Sequence, residues 1–585
     1  MGTSYSAPVA EQLFVLTSTR AIADHRFGRI EDAPTPETIE AVLAESAKLA
    51  NNVFAPINQS GDVETSRAVL GGVATPAGFQ EAYALYVAGG WNGLAVPVAY
   101  GGQGLPFALG HAVNEQITSA NAALAGCPQL TWGAIEAIAT HATEDLRRVY
   151  LPKLVTGEWT ATMNLTEPQA GTDVGAIRTS ATPQSDGTYK IRGQKIFISF
   201  GDHDLSANIV HLVLARLPGA PVGSKGLSLF LVPKFFVGDG GTLGIRNDVR
   251  AVSLEHKLGQ RASPTCMMSY GDEDRCVGYL IGEEQGGIRA MFTMMNNARV
   301  NVGVQGVAFA ERSYQHALGY AQERVQSRRY DGGSDSVAII QHPDVRRMLL
   351  SQRASTEGIR ALLYYTAEIL DRASGNAEAQ GLVDLLTPIA KAYATDVGTE
   401  VTSSALQVFG GIGFIEETGI AQHYRDVRIT PIYEGTNGIQ AIDLVNRKLL
   451  QSGGIHWKAL LKDLRDQVAA VENPALDSIR GQVSDAINAL ESASDWMASR
   501  AGSGDAMAGA TAYLRLFGTV LSCTLLFLQA AQRTDAGDDP QFMSAKATTA
   551  RFFAEQILPL ALALTEPMRA GNGLLEEFAR EFAPL

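Results

Sequence analysis

Glu434 stands between Tyr433 and Gly435 in the stretch RITPIYEGTNGIQAIDLVNR, just ahead of Thr436. Pro431 before it and the glycine after it mark a break between two segments of helical spacing. A side chain at such a break can be aimed into a cleft instead of lying on a solvated helix face. A carboxylate so placed has the chemistry of a general base. Three further segments carry groups suited to holding a ligand. MNLTEPQAGTDVG contains Thr166, Gly171 and Thr172 in a turn-forming loop that offers N–H groups and hydroxyls to a phosphate or carbonyl. GQKIFISFGDHD sets Phe197 and Ser199 two residues apart, hence on one face of a strand. ALQVFGGIGF brings Gln407, Gly410 and Gly411 to a helix end, where a bare backbone can approach a ligand closely. Glu167, ahead of Pro168, reads as a residue that shapes its loop, and His203 as a turn residue making local hydrogen bonds.

These segments need elements to position them. Residues 36–160 have helical spacing rich in Ala and Leu, opened by Thr35 as cap and Pro36 at the first helical position. WNGLAVPVAYGGQGLP interrupts them as a loop. After Trp159 the pattern changes to short β-branched and aromatic runs, GTYKIRGQKIFIS, NIVHLVLARL, GLSLFLVP and PTCMMSYGDEDRCVGYLIG, separated by turn residues. They predict an antiparallel sheet or barrel over 161–285. Helical spacing returns over 286–454, with three long helices and a fourth running past Glu434, as in a bundle. Residues 455–585 continue as an appended helical domain, and 1–35 form an N-terminal extension. The overall class is α+β.

With 585 residues, several domains are expected. A net charge of -14 and a pI near 5.3 exclude nucleic acid as a main partner, because both molecules are anionic. Four cysteines with no metal-type spacing read as reduced, buried thiols, and no metal site is expected. No leader is evident, and TVLSCTLLFLQAA reads as too short for a membrane span, so a cytoplasmic protein without membrane insertion is expected. Gly2 and Ser6 satisfy the loose myristoylation pattern, which chance matches often.

Taken in order, LTEPQAGTD, KIFIS, QVFGGIGF and YEGT resemble the acyl-CoA dehydrogenase family over roughly residues 36–450. GDHD, HPDVRRML, EGTNGIQAIDL and the helical tail resemble its longer subgroup, which includes 3-methylmercaptopropionyl-CoA dehydrogenase and some long-chain fatty acyl-CoA dehydrogenases. The resemblance implies an N-terminal helical domain, a central β domain and a C-terminal four-helix bundle, with FAD as cofactor. It implies α,β-dehydrogenation of an acyl-CoA to the trans-2-enoyl-CoA, with Glu434 as base, flavin N5 as hydride acceptor and electron-transfer flavoprotein as electron partner. An oxidase that gives its electrons to oxygen, and a flavin-binding subunit without turnover, are the competing readings.

Carried over by position, the resemblance puts Met163, Leu165 and Thr166 along the flavin edge and Gly171 and Thr172 near the pyrophosphate and acyl-CoA. Phe197 and Ser199 stand where Trp and Thr are common beside the flavin. Arg324, Gln326, Gln407 and Gly411 match positions that reach the FAD of a neighbouring subunit, which implies a dimer. The appended domain favours a homodimer over a tetramer. Thr436 matches a further flavin contact, and Thr172, Asn296, Arg299 and Gly435 fall on the substrate side. The chain departs from the pattern at Ser327, Arg328 and Gly438, in an insertion DGGSDS, at Asn296 in place of an Asp, and at Phe200 in place of an Asn.

Overall fold

The computed structural model describes residues 5–532 and 539–582. Gly2 of the myristoylation pattern lies outside them. The chain forms two compact units, each assembled from separated segments. One comprises residues up to Glu45, Pro106–Ser119 and everything from Arg299 onward; the other comprises Ser46–Leu105 and Ala120–Ala298.

The second unit is built around an eight-stranded sheet. Its strands are β1 Trp159–Asn164, β2 Ser180–Pro183, β3 Tyr189–Ser199, β4 Asn208–Arg216, β5 Leu227–Pro233, β6 Val249–Leu254, β7 Thr265–Tyr270 and β8 Val277–Ile281. The order is β6-β7-β3-β8-β5-β4-β1, with β2 alongside β3 and β4. β5 is buried along its whole length, which is why GLSLFLVP reads as an unbroken apolar run and not as an alternation. Most pairs are antiparallel as expected, but β1 runs parallel to β4 from Trp159↔Asn208 to Asn164↔Val213, so the sheet is mixed. β1 is also the strand that sequence patterning did not announce. Its inward polar residues are buried and satisfied, Thr160 by His203 Nε2 at 3.0 Å and Thr162 by His211 Nδ1 at 2.9 Å. His203 is thereby a local hydrogen-bonding residue, and its Nδ1 accepts the Leu205 N–H.

The first unit is helical. Its main elements are α1 Val9–Phe27, the start of α2 Phe107–His141, most of α3 Gly287–Glu323, then α4 Pro343–Asp371, α5 Ala377–Phe409, α6 Ile420–Val427, α7 Asn437–Asp443 and α8 Gly504–Ala531. The expected fourth bundle helix is broken into α6 and α7, with Glu434 in the intervening turn. α1 is no loose extension. Gln12, Val15, Leu16, Thr19 and Ile22 are all buried, and a helix enclosed on several sides shows no amphipathic stripe in its sequence. α8 contains TVLSCTLLFLQAA and, at 28 residues, is long and apolar enough to cross a membrane, contrary to the shorter element expected; 89% of its apolar window is buried inside the protein, where it packs on α4, α5 and α7. All four cysteines are free and buried.

A buried charge network ties these helices together. Arg360 on α4 donates from Nη2 to Glu115 of α2 and to Glu311 of α3, at 2.6 Å each. The Tyr364 hydroxyl donates to Glu115 at 2.7 Å, and Gln12 of α1 donates to Tyr364 at 3.0 Å. Lys546 joins the same network by pairing with Glu11 and Glu357, the latter at 2.9 Å. Residues from beyond position 455 are therefore locked to α1 and α4. Arg360→Met would leave Glu115 and Glu311 buried without their shared counter-charge. Breaking such a pair typically costs about 3–5 kcal/mol, so a clearly earlier urea transition, followed by tryptophan fluorescence, is expected.

Candidate active site

The turn between α6 and α7 is held from several directions. The Ile432 and Tyr433 N–H groups both donate to Ile429 O, and the Asn437 N–H returns to Pro431 O at 3.0 Å. Thr436 caps α7 by accepting the Ile439 N–H on its side chain. Within the turn Glu434 and Gly435 both have positive φ, 55° and 85°. The left-handed conformation costs a non-glycine residue roughly 1–2 kcal/mol, so the surroundings must impose it on Glu434. They do so through side chains on its own carbonyl and on the one that follows. Gln440 Nε2 donates to Glu434 O at 3.3 Å, and Lys391 Nζ donates to Gly435 O at 2.8 Å. Glycine suits position 435 because its φ of 85° is one that L side chains rarely adopt.

Charge is concentrated around this turn. Burial pushes the Glu434 carboxyl up to about 7, against the opposing pull of Arg299 and Lys391. Arg299 approaches from α3 and Lys391 from α5. Lys391 is fully buried, and burial lowers its pKa to about 7 despite Glu434 and Asp396 nearby. It also donates to Asn437 Oδ1 at 2.8 Å, while the Asn437 amide donates to Ala392 O, Thr395 Oγ1 and Asp396 Oδ1. A carboxyl titrating near neutrality beside two basic side chains can take up and release a proton near pH 7. Sequence reading missed Lys391. Its signal is a lone lysine in the apolar helical run PIAKAYA, a place where lysine is rarely buried without a partner.

The second unit presents the other motif residues. Glu167 is buried at the start of the loop after β1 and accepts from Arg178 N, Thr179 N, Thr179 Oγ1 and Lys195 Nζ at 2.6–3.0 Å. Burial would raise its pKa, but the Lys195 charge and these donors prevail and hold it at about 2. Lys195 also donates to Leu165 O at 2.9 Å, and Ile196 N to Thr166 O. LTEPQAGTD and KIFIS are thus clamped together by one buried ion pair, and Glu167 does shape its loop. A bulge in β3 follows. Lys195 faces Met268 and Ile198 faces Cys266, leaving an extra residue between them. Phe197 there has φ 60° and is 60% exposed, with half-buried Ser199 two positions on.

Gly171 and Thr172 are exposed, and nothing lies within 4 Å of where a Cβ on Gly171 would sit. Met163 and Thr166 are half-buried, Leu165 is buried and Asn296 is exposed. In the first unit Gln407, Gly411 and Thr436 are exposed, and Gly411 likewise has an open Cβ position. Arg324 donates to Gln326 at 3.3 Å on the exposed hairpin Val325–Arg328 and Ser336–Ala338, whose tip is the DGGSDS insertion. An outward aromatic ring, a half-buried hydroxyl and a loop bare of side chain fit a planar heterocycle carrying phosphates. No group of three or more His, Cys, Asp or Glu able to hold a metal occurs among the described residues.

Comparison with known proteins agrees with this arrangement. The acyl-CoA dehydrogenase N-terminal, middle and C-terminal domain families match residues 37–158, 162–272 and 285–450, and an acetyl-CoA dehydrogenase C-terminal-like family matches 460–578. The chain belongs to the acyl-CoA dehydrogenase family. It is an enzyme of that family with FAD as its cofactor. It is 46% identical to 3-methylmercaptopropionyl-CoA dehydrogenase of Ruegeria pomeroyi, over 95% of this chain and 96% of that one. It is 33% identical to the broad-specificity linear acyl-CoA dehydrogenase FadE5 of Mycobacterium tuberculosis, over 98% of both. Among solved structures, an acyl-CoA dehydrogenase of Bacillus anthracis complexed with FAD has the same fold, with a TM-score of 0.73, 20% identity and coverage of 94% of this chain and 92% of that one.

The clamp predicts an acid signature. Glu167 titrates at about 2 in the folded chain against an ordinary 4.5, so its contribution to stability is complete above about 4.5 and is lost as pH falls toward 2. Glu167→Gln should melt several degrees below wild type near neutral pH and retain less FAD on gel filtration. The difference in melting temperature should close as pH drops below about 4.5.

Proposed function

We propose that the chain catalyses α,β-dehydrogenation of an acyl-CoA thioester, with Glu434 removing the α-proton. The carrying observation is the Glu434 turn itself: a half-buried carboxyl raised to about 7, in an imposed left-handed backbone, with a basic side chain on each adjoining long helix. The α-proton of a thioester is weakly acidic, so its removal needs a base that is ionised near neutral pH yet poorly solvated. Burial supplies the basicity, and Arg299 and Lys391 keep the carboxyl from being pushed beyond the useful range. The Glu434 backbone N–H binds the thioester oxygen as charge develops on it. FAD, when bound, supplies the acceptor for the β-hydrogen as hydride.

In this reading Met163, Leu165, Thr166, Gly171, Thr172, Phe197, Ser199 and Thr436 hold the cofactor. Thr172, Asn296, Arg299 and Gly435 attend the acyl-CoA. Electrons leave to electron-transfer flavoprotein. Arg324, Gln326, Gln407 and Gly411 serve the FAD of a second subunit, a role their exposure supports, as do the exposed Ile412, Phe414 and Ile415 beside them. A homodimer follows from this, and light scattering that returns a stable tetramer or a monomer would contradict it.

Glu434→Gln keeps the shape and removes the proton acceptor. FAD and acyl-CoA should still bind, while flavin reduction on anaerobic mixing falls by about 10²-fold to 10⁴-fold. In the wild type the reduction rate should climb with pH through about 7, where Glu434 loses its proton. A panel of straight, branched and sulfur-containing acyl-CoAs, 3-methylmercaptopropionyl-CoA among them, defines the substrate. Turnover with electron-transfer flavoprotein and without hydrogen peroxide separates a dehydrogenase from an oxidase. A Gln variant that bleaches its flavin at the wild-type rate removes Glu434 from the mechanism.

A further inference from the structure

We propose that Lys391 is the positioning residue of the base: from the neighbouring helix it fixes the turn that carries Glu434 and, in its protonated form, favours the ionised carboxyl. The inference rests on the reading of Glu434 as base. Its foundation is geometric. Lys391 Nζ donates at 2.8 Å to Gly435 O, the carbonyl one residue after Glu434, and at 2.8 Å to Asn437 Oδ1. The Asn437 amide in turn grips the α5 backbone at Ala392 O and the side chains of Thr395 and Asp396. One buried ammonium therefore binds both ends of the Gly435–Asn437 segment to α5, while Gln440 holds the carbonyl of Glu434 itself. With both peptide planes after the acid fixed, its backbone N–H and its carboxyl are aimed together.

A tether alone does not call for a charged residue. A neutral amide donates to a carbonyl at far smaller desolvation cost than a fully buried ammonium. The charge has a use because of what faces it. Glu434 is faced by Arg299 from α3 and by Lys391 from α5. Lys391 is faced by Glu434, Asp396 and Arg299, and Arg299 by Glu434, Asp443 of α7 and Arg447 just beyond it. Asp443 shares Arg299 with Glu434, and Arg447 forms a 3.0 Å pair with Asp443. Lys391 is bonded directly to the turn, so its removal should leave Glu434 harder to ionise.

The test uses the FAD-loaded enzyme with Lys391→Gln, Lys391→Met and Lys391→Arg. The infrared carboxyl band of Glu434, assigned by its loss in Glu434→Gln, is titrated without substrate, and flavin reduction is followed across the same pH range. In the neutral variants the midpoint should rise by about one pH unit, so that reduction near pH 7 falls by about fivefold and recovers in alkali. Lys391→Arg, which stays charged throughout, should hold the midpoint at or below the wild-type value, at a lower rate. A midpoint unmoved in whichever neutral variant folds, or a fall equal at every pH, overturns the proposal and makes Lys391 a tether only. Loss of FAD from both neutral variants also overturns it, because Lys391 is then a folding residue. These outcomes are distinct from a failure of the base assignment, which shows as wild-type flavin reduction in Glu434→Gln.

Discussion

The close crossing of α3 and α5 is the constraint on which the Glu434 turn depends. A Cβ on Gly306 would lie 2.4 Å from Ala394 O, and one on Gly398 would lie 2.6 Å from Gly306 O. The two helices touch backbone to backbone, which no larger residue allows. This contact brings α3, carrying Arg299, and α5, carrying Lys391, near enough for both to act on a single acid. A looser crossing would leave Glu434 as a desolvated carboxyl without the cations that moderate it.

From that crossing the rest of the helical unit reads as bracing. The Arg360 network fixes α4 against α1, α2 and α3, and α3 is the helix that presents Arg299. α8 packs on the other side of α5, where Arg515 pairs with Glu400 at 2.7 Å. The appended helices are thereby part of what holds α5 still, in addition to whatever surface they cover. Strain at Glu434 is sustained because its surroundings over-determine the turn.

The sheet-bearing unit follows a parallel logic. One buried ion pair, Glu167 with Lys195, joins the segments LTEPQAGTD and KIFIS, and the β3 bulge directly after Lys195 turns Phe197 outward. In both units a buried lysine fixes a loop by hydrogen bonds, Lys195 to Glu167 and Lys391 to Gly435 O. Such charges are costly to desolvate and act only when fully partnered, so each holds its loop in one geometry.

The sequence by itself determined the class of elements, the motif segments and the acid at the helix break, because periodicity, turn residues and local order are properties of neighbouring positions. It also pointed to the family, through four short segments in fixed order. It did not announce α1, which is enclosed on several sides, nor β1, whose inward Thr and Asn residues look polar until their partners are in place. Nor could it show that Lys391 lies against Gly435, that Lys195 pairs with Glu167, or that burial raises Glu434 to about 7. Those depend on desolvation and on contacts between residues far apart in the chain, quantities that exist only once the helices cross and the strands pair.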